Sequence, residues 1–97
     1  MKTYSIPDIT PGGSAVKVSA SLPTGYPNSA VWVNMTASGT SIRYGDANTG
    51  TAQGQALTTG VPFLACPRCD NPQGRYDLTQ LYVFASGGDK VSITFGV

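Results

Sequence analysis

The residues with the clearest chemical potential are two cysteines that lie close together, in the segment Cys66-Pro67-Arg68-Cys69. Such a pair is half of a zinc site, a redox motif or a local disulfide. A complete zinc site needs more ligands, and the chain has no third cysteine and no histidine. We expect Cys66 and Cys69 to be free thiols, and a local disulfide or a zinc site shared between two chains stays open. No other metal site and no cofactor is expected.

Residues for acid–base and nucleophilic chemistry are scarce. The chain has no histidine and no glutamate, and five aspartates are its only acidic side chains. Histidine is the usual general base, and hydrolysis of glycosides requires two carboxyl groups in one cleft. The sequence contains no Gly-x-Ser-x-Gly motif and no phosphate-binding glycine loop followed by Lys-Ser/Thr. We therefore predict no catalytic residues and a protein that is not an enzyme.

The charge pattern indicates a protein that acts by contact with other proteins. Charged residues make up 11% of the chain and the formal net charge is +1, with the basic residues scattered. Direct binding of nucleic acid requires clustered basic charge, so none is expected. No apolar run has the length of a membrane helix or a signal peptide, so we expect no membrane association and synthesis in a cytoplasm. So little charge on a small protein favours a surface partly covered by other subunits, including further copies of the chain.

The elements that must position these residues are strands. The 12 glycines and 7 prolines are spread over the 97 residues, which disfavours helices, and the apolar residues alternate as they do in half-buried strands. The alternation predicts strands over residues 14–22, 30–36, 78–85 and 90–97, with weaker strands over 40–45 and 61–65. The stretch 78–85 is nearly all apolar and fits a central strand covered on both faces. The predicted fold is all-β, a small antiparallel β-sandwich or barrel of about six to eight short strands.

The turns and loops complete this prediction. Ser86-Gly87-Gly88-Asp89 is predicted to join the last two strands as a hairpin, and residues 37–39 to join 30–36 to 40–45. Residues 1–13 are expected to form an extended N-terminal arm or an edge strand, limited by Pro7 and Pro11, beside a single domain over 14–97. Residues 46–55 and 66–75 read as long loops. Gly45 and Asp46 should end a strand in a turn, and Trp32 should pack in the core or at an edge.

Residues 30–97 resemble a known group of proteins. The stretches that carry the likeness are Ala30-Val31-Trp32-Val33-Asn34, Ser41-Ile42-Arg43-Tyr44-Gly45-Asp46, residues 56–63 and the final residues 81–96. Their order of strand, aromatic-Gly-Asp turn, polar loop, Gly-x-Pro-aromatic step and glycine-rich final turn resembles small virion structural proteins of tailed bacteriophages. The first third of the chain and the Cys-Pro-Arg-Cys loop have no counterpart in this pattern.

The resemblance implies an accessory virion protein that binds the major capsid protein or another virion protein, as a homo-oligomer. The expected function is capsid decoration, that is, cementing neighbouring capsid subunits, and the alternative is a neck, tail or fibre-base component. The expected contact elements are residues 1–13 and the two long loops, and the residues singled out are Tyr4, Ile6, Pro7, Ile9, Trp32, Tyr44 and Arg68. A host-surface carbohydrate-binding module, using Trp32, Tyr44 and residues 46–55, is a further alternative.

Overall fold

The computed structural model describes residues 2–39, 41–65 and 74–97, and these residues form an all-β protein, as predicted. The described residues contain ten strands, more than predicted because several of them are two-residue pairings. The strands are β1 Thr3–Ile9, β2 Val16–Lys17, β3 Ser29–Ala30, β4 Trp32–Ala37, β5 Arg43–Gly45, β6 Gln55–Ala56, β7 Phe63–Ala65, β8 Tyr76–Asp77, β9 Tyr82–Phe84 and β10 Val91–Gly96. A single 3₁₀ turn, Val18–Ser21, follows β2.

The strands build a β-sandwich from two four-stranded sheets. The first sheet has the order β1-β10-β4-β7 and the second has the order β2-β9-β5-β6, and all of these pairings are antiparallel. Strands β3 and β8 form a separate antiparallel pair. One apolar core lies between the two sheets: Val33, Met35 and Phe95 come from the first sheet, Val83 comes from the second, and Ile42 and Leu81 lie immediately before strands of the second.

The alternation read from the sequence places side chains correctly in the two six-residue strands, β4 and β10. In β4 the apolar residues Val33 and Met35 are fully buried while the intervening residues are half-exposed. In β10 Val91, Ile93 and Phe95 are buried in the same way. Strand β9 is an interior strand buried on both faces, as predicted from its continuous apolar run.

The N-terminal segment is an edge strand and not a detached arm. Strand β1 pairs with β10, and its register shifts between Ile6 and Ile9, around Pro7. Proline has no N–H to give to a ladder, so a shift of register at this position is expected. Ile6 and Ile9 are both buried in the core. The segment is therefore part of the folded domain.

Both predicted hairpins are wrong. Strands β9 and β10 lie in different sheets, and so do β4 and β5. The physical reason is that β9 and β10 each pair with other strands along both edges: β10 pairs with β1 and β4, and β9 pairs with β2 and β5. The turns after β4 and after β9 consequently carry the chain from one sheet to the other.

These two crossing turns are bonded to each other. The Ser38 N–H donates to the Lys90 carbonyl at 2.9 Å, and the Lys90 N–H donates to Ser38 Oγ at 2.8 Å. Ser41 Oγ donates to an Asp89 carboxylate oxygen at 3.3 Å. A β-carbon at Gly39 would collide with that carboxylate, so the close approach depends on glycine. The turn residues predicted for two hairpins thus hold one end of the sandwich together.

The predicted strand over residues 14–22 is mostly not a strand. It ends at Lys17, and the next four residues form the 3₁₀ turn. Strand β2 pairs with β9, and the last backbone hydrogen bond between the two segments runs from the Val18 N–H to the Leu81 carbonyl at 2.9 Å. The residues before Leu81 form a turn, in which the Gln80 N–H donates to the Asp77 carbonyl at 3.0 Å. Because residues 18–21 have no extended strand to pair with, they form a 3₁₀ turn instead. The two weaker predicted strands exist in shorter form, as β5 and β7.

Candidate functional site

An apolar surface lies at the edge of the first sheet, on and beside β7. Among the large apolar side chains of the described residues, the exposed ones are Val61 at 54%, Phe63 at 36% and Leu64 at 58%. All three lie in one short stretch, at the end of the sheet order β1-β10-β4-β7. We call these residues, with the Tyr44 ring that packs against Phe63, the β7 patch. Phe63 pairs with the buried Met35 and Leu64 with the half-exposed Asn34, so these two side chains point to opposite faces of the sheet and lie on both sides of the edge strand. Single exposed apolar side chains are ordinary on a protein surface, but three large ones at the end of one sheet make this edge the candidate contact site.

Tyr44 reaches the patch from the other sheet. Its ring centroid lies 5.2 Å from that of Phe63, with 30° between the ring planes. Tyr76 is close enough to interact electrostatically with it. Burial raises the pKa of Tyr44, and Tyr76 raises it further; burial alone raises the pKa of Tyr76. Both phenols are therefore held in the neutral form, and this aromatic group spans the gap between the sheets.

Sequence reasoning did not find this aromatic group. Tyr44, Phe63 and Tyr76 belong to β5, β7 and β8, which are far apart in the chain and meet only in the folded domain. The feature of the sequence that could have indicated this surface is the charge pattern, because residues 47–67 contain no charged side chain. Charges on or beside edge strands normally prevent unwanted pairing, and β7 itself, Phe63–Ala65, carries none.

Tyr44 also forms one wall of an open depression of about 470 Å³. The lining residues come from the end of β5, the following loop and β6: Tyr44, Gly45, Asp46, Asn48, Gln53, Gly54 and Gln55. We call this the Tyr44 depression. Its polar groups are one carboxylate and three side-chain amides, and the Arg43 guanidinium beside it donates to the Gly54 carbonyl at 2.8 Å.

The loop that forms the depression is held from within. Thr49 is buried, and its Oγ1 donates to the Asp46 carbonyl at 2.6 Å. Asp46 Oδ1 accepts the Asn48 N–H at 2.9 Å, which confirms that Asp46 caps the turn after β5. A β-carbon at Gly45 would lie 2.8 Å from Thr49 Oγ1, and one at Gly54 2.8 Å from Thr49 Cγ2. The two glycines therefore let the loop close tightly around Thr49.

The expected contact residues of the N-terminal segment lie mostly inside the domain. Ile6 and Ile9 are buried, so their side chains pack in the core. Tyr4 stacks on Phe95 with centroids 5.2 Å apart and also contacts the ring of Tyr26. Pro7 alone of these residues is exposed. The surface that the segment leaves exposed is therefore formed by its other residues, such as Thr3, Ser5 and Asp8.

Trp32 and Tyr44 do not form one site. Trp32 lies in the first sheet opposite Gly96, half-buried, with its indole against the Gly96 backbone. This agrees with the expectation of packing and not with a shared sugar platform. Arg68, and the thiols of Cys66 and Cys69, lie outside the described residues. Among the residues described, no group of three His, Cys, Asp or Glu side chains could hold a metal ion.

No protein-family model, curated protein or solved structure shows significant similarity to this chain. Within the ranges that the structure describes, no helix is long and apolar enough to span a membrane.

Proposed function

We propose that this chain is a non-enzymatic structural protein of a bacteriophage virion, a capsid decoration protein that binds the major capsid protein. The resemblance of residues 30–97 to small phage virion proteins supports the proposal, and so does the all-β sandwich. The observation that carries it is the β7 patch. A domain with 11% charged residues places three apolar side chains on an uncharged edge, which is the surface of a protein that works by contact.

The physical role of such a protein is to stabilise the assembled shell. A ligand that binds only the assembled state shifts the equilibrium toward it, and many moderate contacts repeated over a shell add up. The β7 patch suits this role because burying apolar surface contributes about 25 cal/mol per Å² without requiring buried charges to pair. Neck, tail or fibre-base attachment is the alternative and would use the same surface in a ring.

The location of the protein tests the proposal directly. In particles purified from the source of this sequence, quantitative mass spectrometry should find a copy number comparable to that of the major capsid protein. A few copies per particle would assign it to the neck or tail, and its absence from particles would overturn the proposal.

A second experiment tests the surface. Leu64→Asp places a charge in the β7 patch, and Ala20→Asp places the same charge at the exposed position of the 3₁₀ turn beside β1, at the opposite edge. Leu64→Asp should weaken binding to shells that lack the protein at least tenfold, while Ala20→Asp binds as the parent does. Equal binding of both folded variants would remove the patch from the proposal but not the location on the particle.

A further inference from the structure

The Tyr44 depression carries polar groups that the fold itself does not use. Asn48, Gln53 and Gln55 are exposed, and within the described ranges their side-chain amides make no hydrogen bond to another residue. The loop backbone is instead fixed by other contacts, such as the Gly50 N–H donating to the Gln53 carbonyl at 3.0 Å. The amides therefore stand on a well-anchored loop without having a structural role in it.

The depression combines three features in one place. Tyr44 supplies an aromatic ring, Asp46 supplies a carboxylate, and the amides supply both donors and acceptors. Its volume is about 470 Å³, and it is open to solvent, so a ligand would bind on a surface and not in an enclosed pocket. Its residues come from the ends of two paired strands and the loop between them, which hold it in place.

The charges of the residues that line the depression restrict which class of ligand can bind there. None of the residues that line the depression is basic, and Asp46 is the only one with a charge. The Arg43 guanidinium is turned to the Gly54 carbonyl and lines a different, smaller depression with Phe84. Anionic ligands are disfavoured by this arrangement, while a neutral ligand with several hydroxyl groups satisfies the carboxylate and the amides together.

From this geometry we propose that the Tyr44 depression binds a neutral carbohydrate, with one sugar face against the Tyr44 ring and its hydroxyl groups bonded to Asp46, Gln53 and Gln55. The proposal differs from the carbohydrate site expected from the sequence because Trp32 takes no part in it. It goes beyond a role in the virion and does not depend on it, since the β7 patch and the depression share only the Tyr44 side chain.

Nuclear magnetic resonance tests the proposal on the intact chain, whose 97 residues suit the method. Glucose, galactose, mannose and N-acetylglucosamine are titrated into ¹⁵N-labelled protein, with sialic acid as the anionic comparison. We expect at least one neutral sugar to shift the backbone and side-chain amide signals of residues 44–55 in a saturable way. Sialic acid should produce a weaker response at the same positions.

Matched variants decide whether the binding is specific. Gln53→Ala should weaken the affinity at least fivefold, while Gln80→Ala, which removes an exposed amide outside the depression, leaves it unchanged. Asp46→Asn retains an oxygen to cap the turn and should also weaken binding. The absence of saturable shifts with every sugar, or equal effects of Gln53→Ala and Gln80→Ala, would overturn the proposal. Neither result bears on the copy number in particles, so the two proposals fail separately.

Discussion

At the scale of single residues, two tyrosines make stability depend on alkaline pH. The pKa values of Tyr44 and Tyr76 are raised, mainly by burial, above the ordinary value of about 10. The stability gained by keeping these phenols neutral is fully present below about pH 10, and it is lost as the pH rises through the folded-state pKa values. We expect the melting temperature of the parent to fall more steeply above about pH 10 than that of the Tyr44→Phe/Tyr76→Phe variant. Parallel curves from thermal unfolding over this pH range would contradict the expectation.

Gly96 determines the position of the only tryptophan. A β-carbon at Gly96 would collide with the Trp32 indole, a rigid ring held against β10. Gly96→Ala should destabilise the domain by about 1–3 kcal/mol, the usual cost of inserting a group into a packed site, and should red-shift the tryptophan fluorescence. Gly88→Ala is the matched control, because a β-carbon there meets no atom within 4 Å. Chemical denaturation measures both variants, and equal stability would show that the indole moves freely.

At the scale of elements, β1 takes one of the two forms expected for residues 1–13, an edge strand and not an extended arm. An arm could be removed without harm to the domain, but β1 covers one edge of β10 and contributes Ile6 and Ile9 to the core. Deletion of residues 1–10 is therefore expected to unfold the domain, and it is unsuitable as a test of partner binding.

A point substitution tests the role of β1 more finely. Ile6→Ala should cost about 2–5 kcal/mol of unfolding free energy, because Ile6 is buried and its truncation leaves a cavity. Ser5→Ala, at the exposed neighbouring position of the same strand, should change stability by less than about 0.5 kcal/mol. If urea denaturation gave similar small losses for both variants, β1 would be a peripheral strand.

At the scale of the whole molecule, the core is shared by strands that cross between the sheets. Leu81, Val83 and Ala85 and the residues Val91, Ile93 and Phe95 belong to one buried cluster, although the strands that carry them lie in different sheets. They meet through the core of the sandwich and not across a hairpin. The stability of the domain is consequently concentrated in a few large side chains in this cluster.

Among the residues that the structure describes, Phe95 has the largest fully buried side chain, and it also stacks on Tyr4. Phe95→Ala should cost about 3–5 kcal/mol. A small domain has a total stability of about 5–15 kcal/mol, so most of the protein should become insoluble or unfold well below the melting temperature of the parent. Calorimetry on the soluble fraction measures the loss, and a variant as heat-stable as the parent would place Phe95 outside the core.

The sequence by itself determined the strand content and much of the burial. Alternation with a period of two residues is a local property, so it identified β4 and β10 and the inward side of Val33, Met35 and Ile93. The cap at Asp46 was equally local, because its carboxylate bonds an amide two residues away. Features that depend only on residues close together in the sequence could therefore be predicted without knowledge of the tertiary structure.

Only the tertiary structure decided which strands are partners and which side chains share a surface. A short glycine-rich turn can join two paired strands or carry the chain between sheets, and the choice depends on which edges are already filled by distant strands such as β1 and β2. The same long-range pairing brings Tyr44 against Phe63 and leaves Leu64 exposed at an edge. The candidate site therefore could not be assembled from the sequence, because its parts meet only when the two sheets pack.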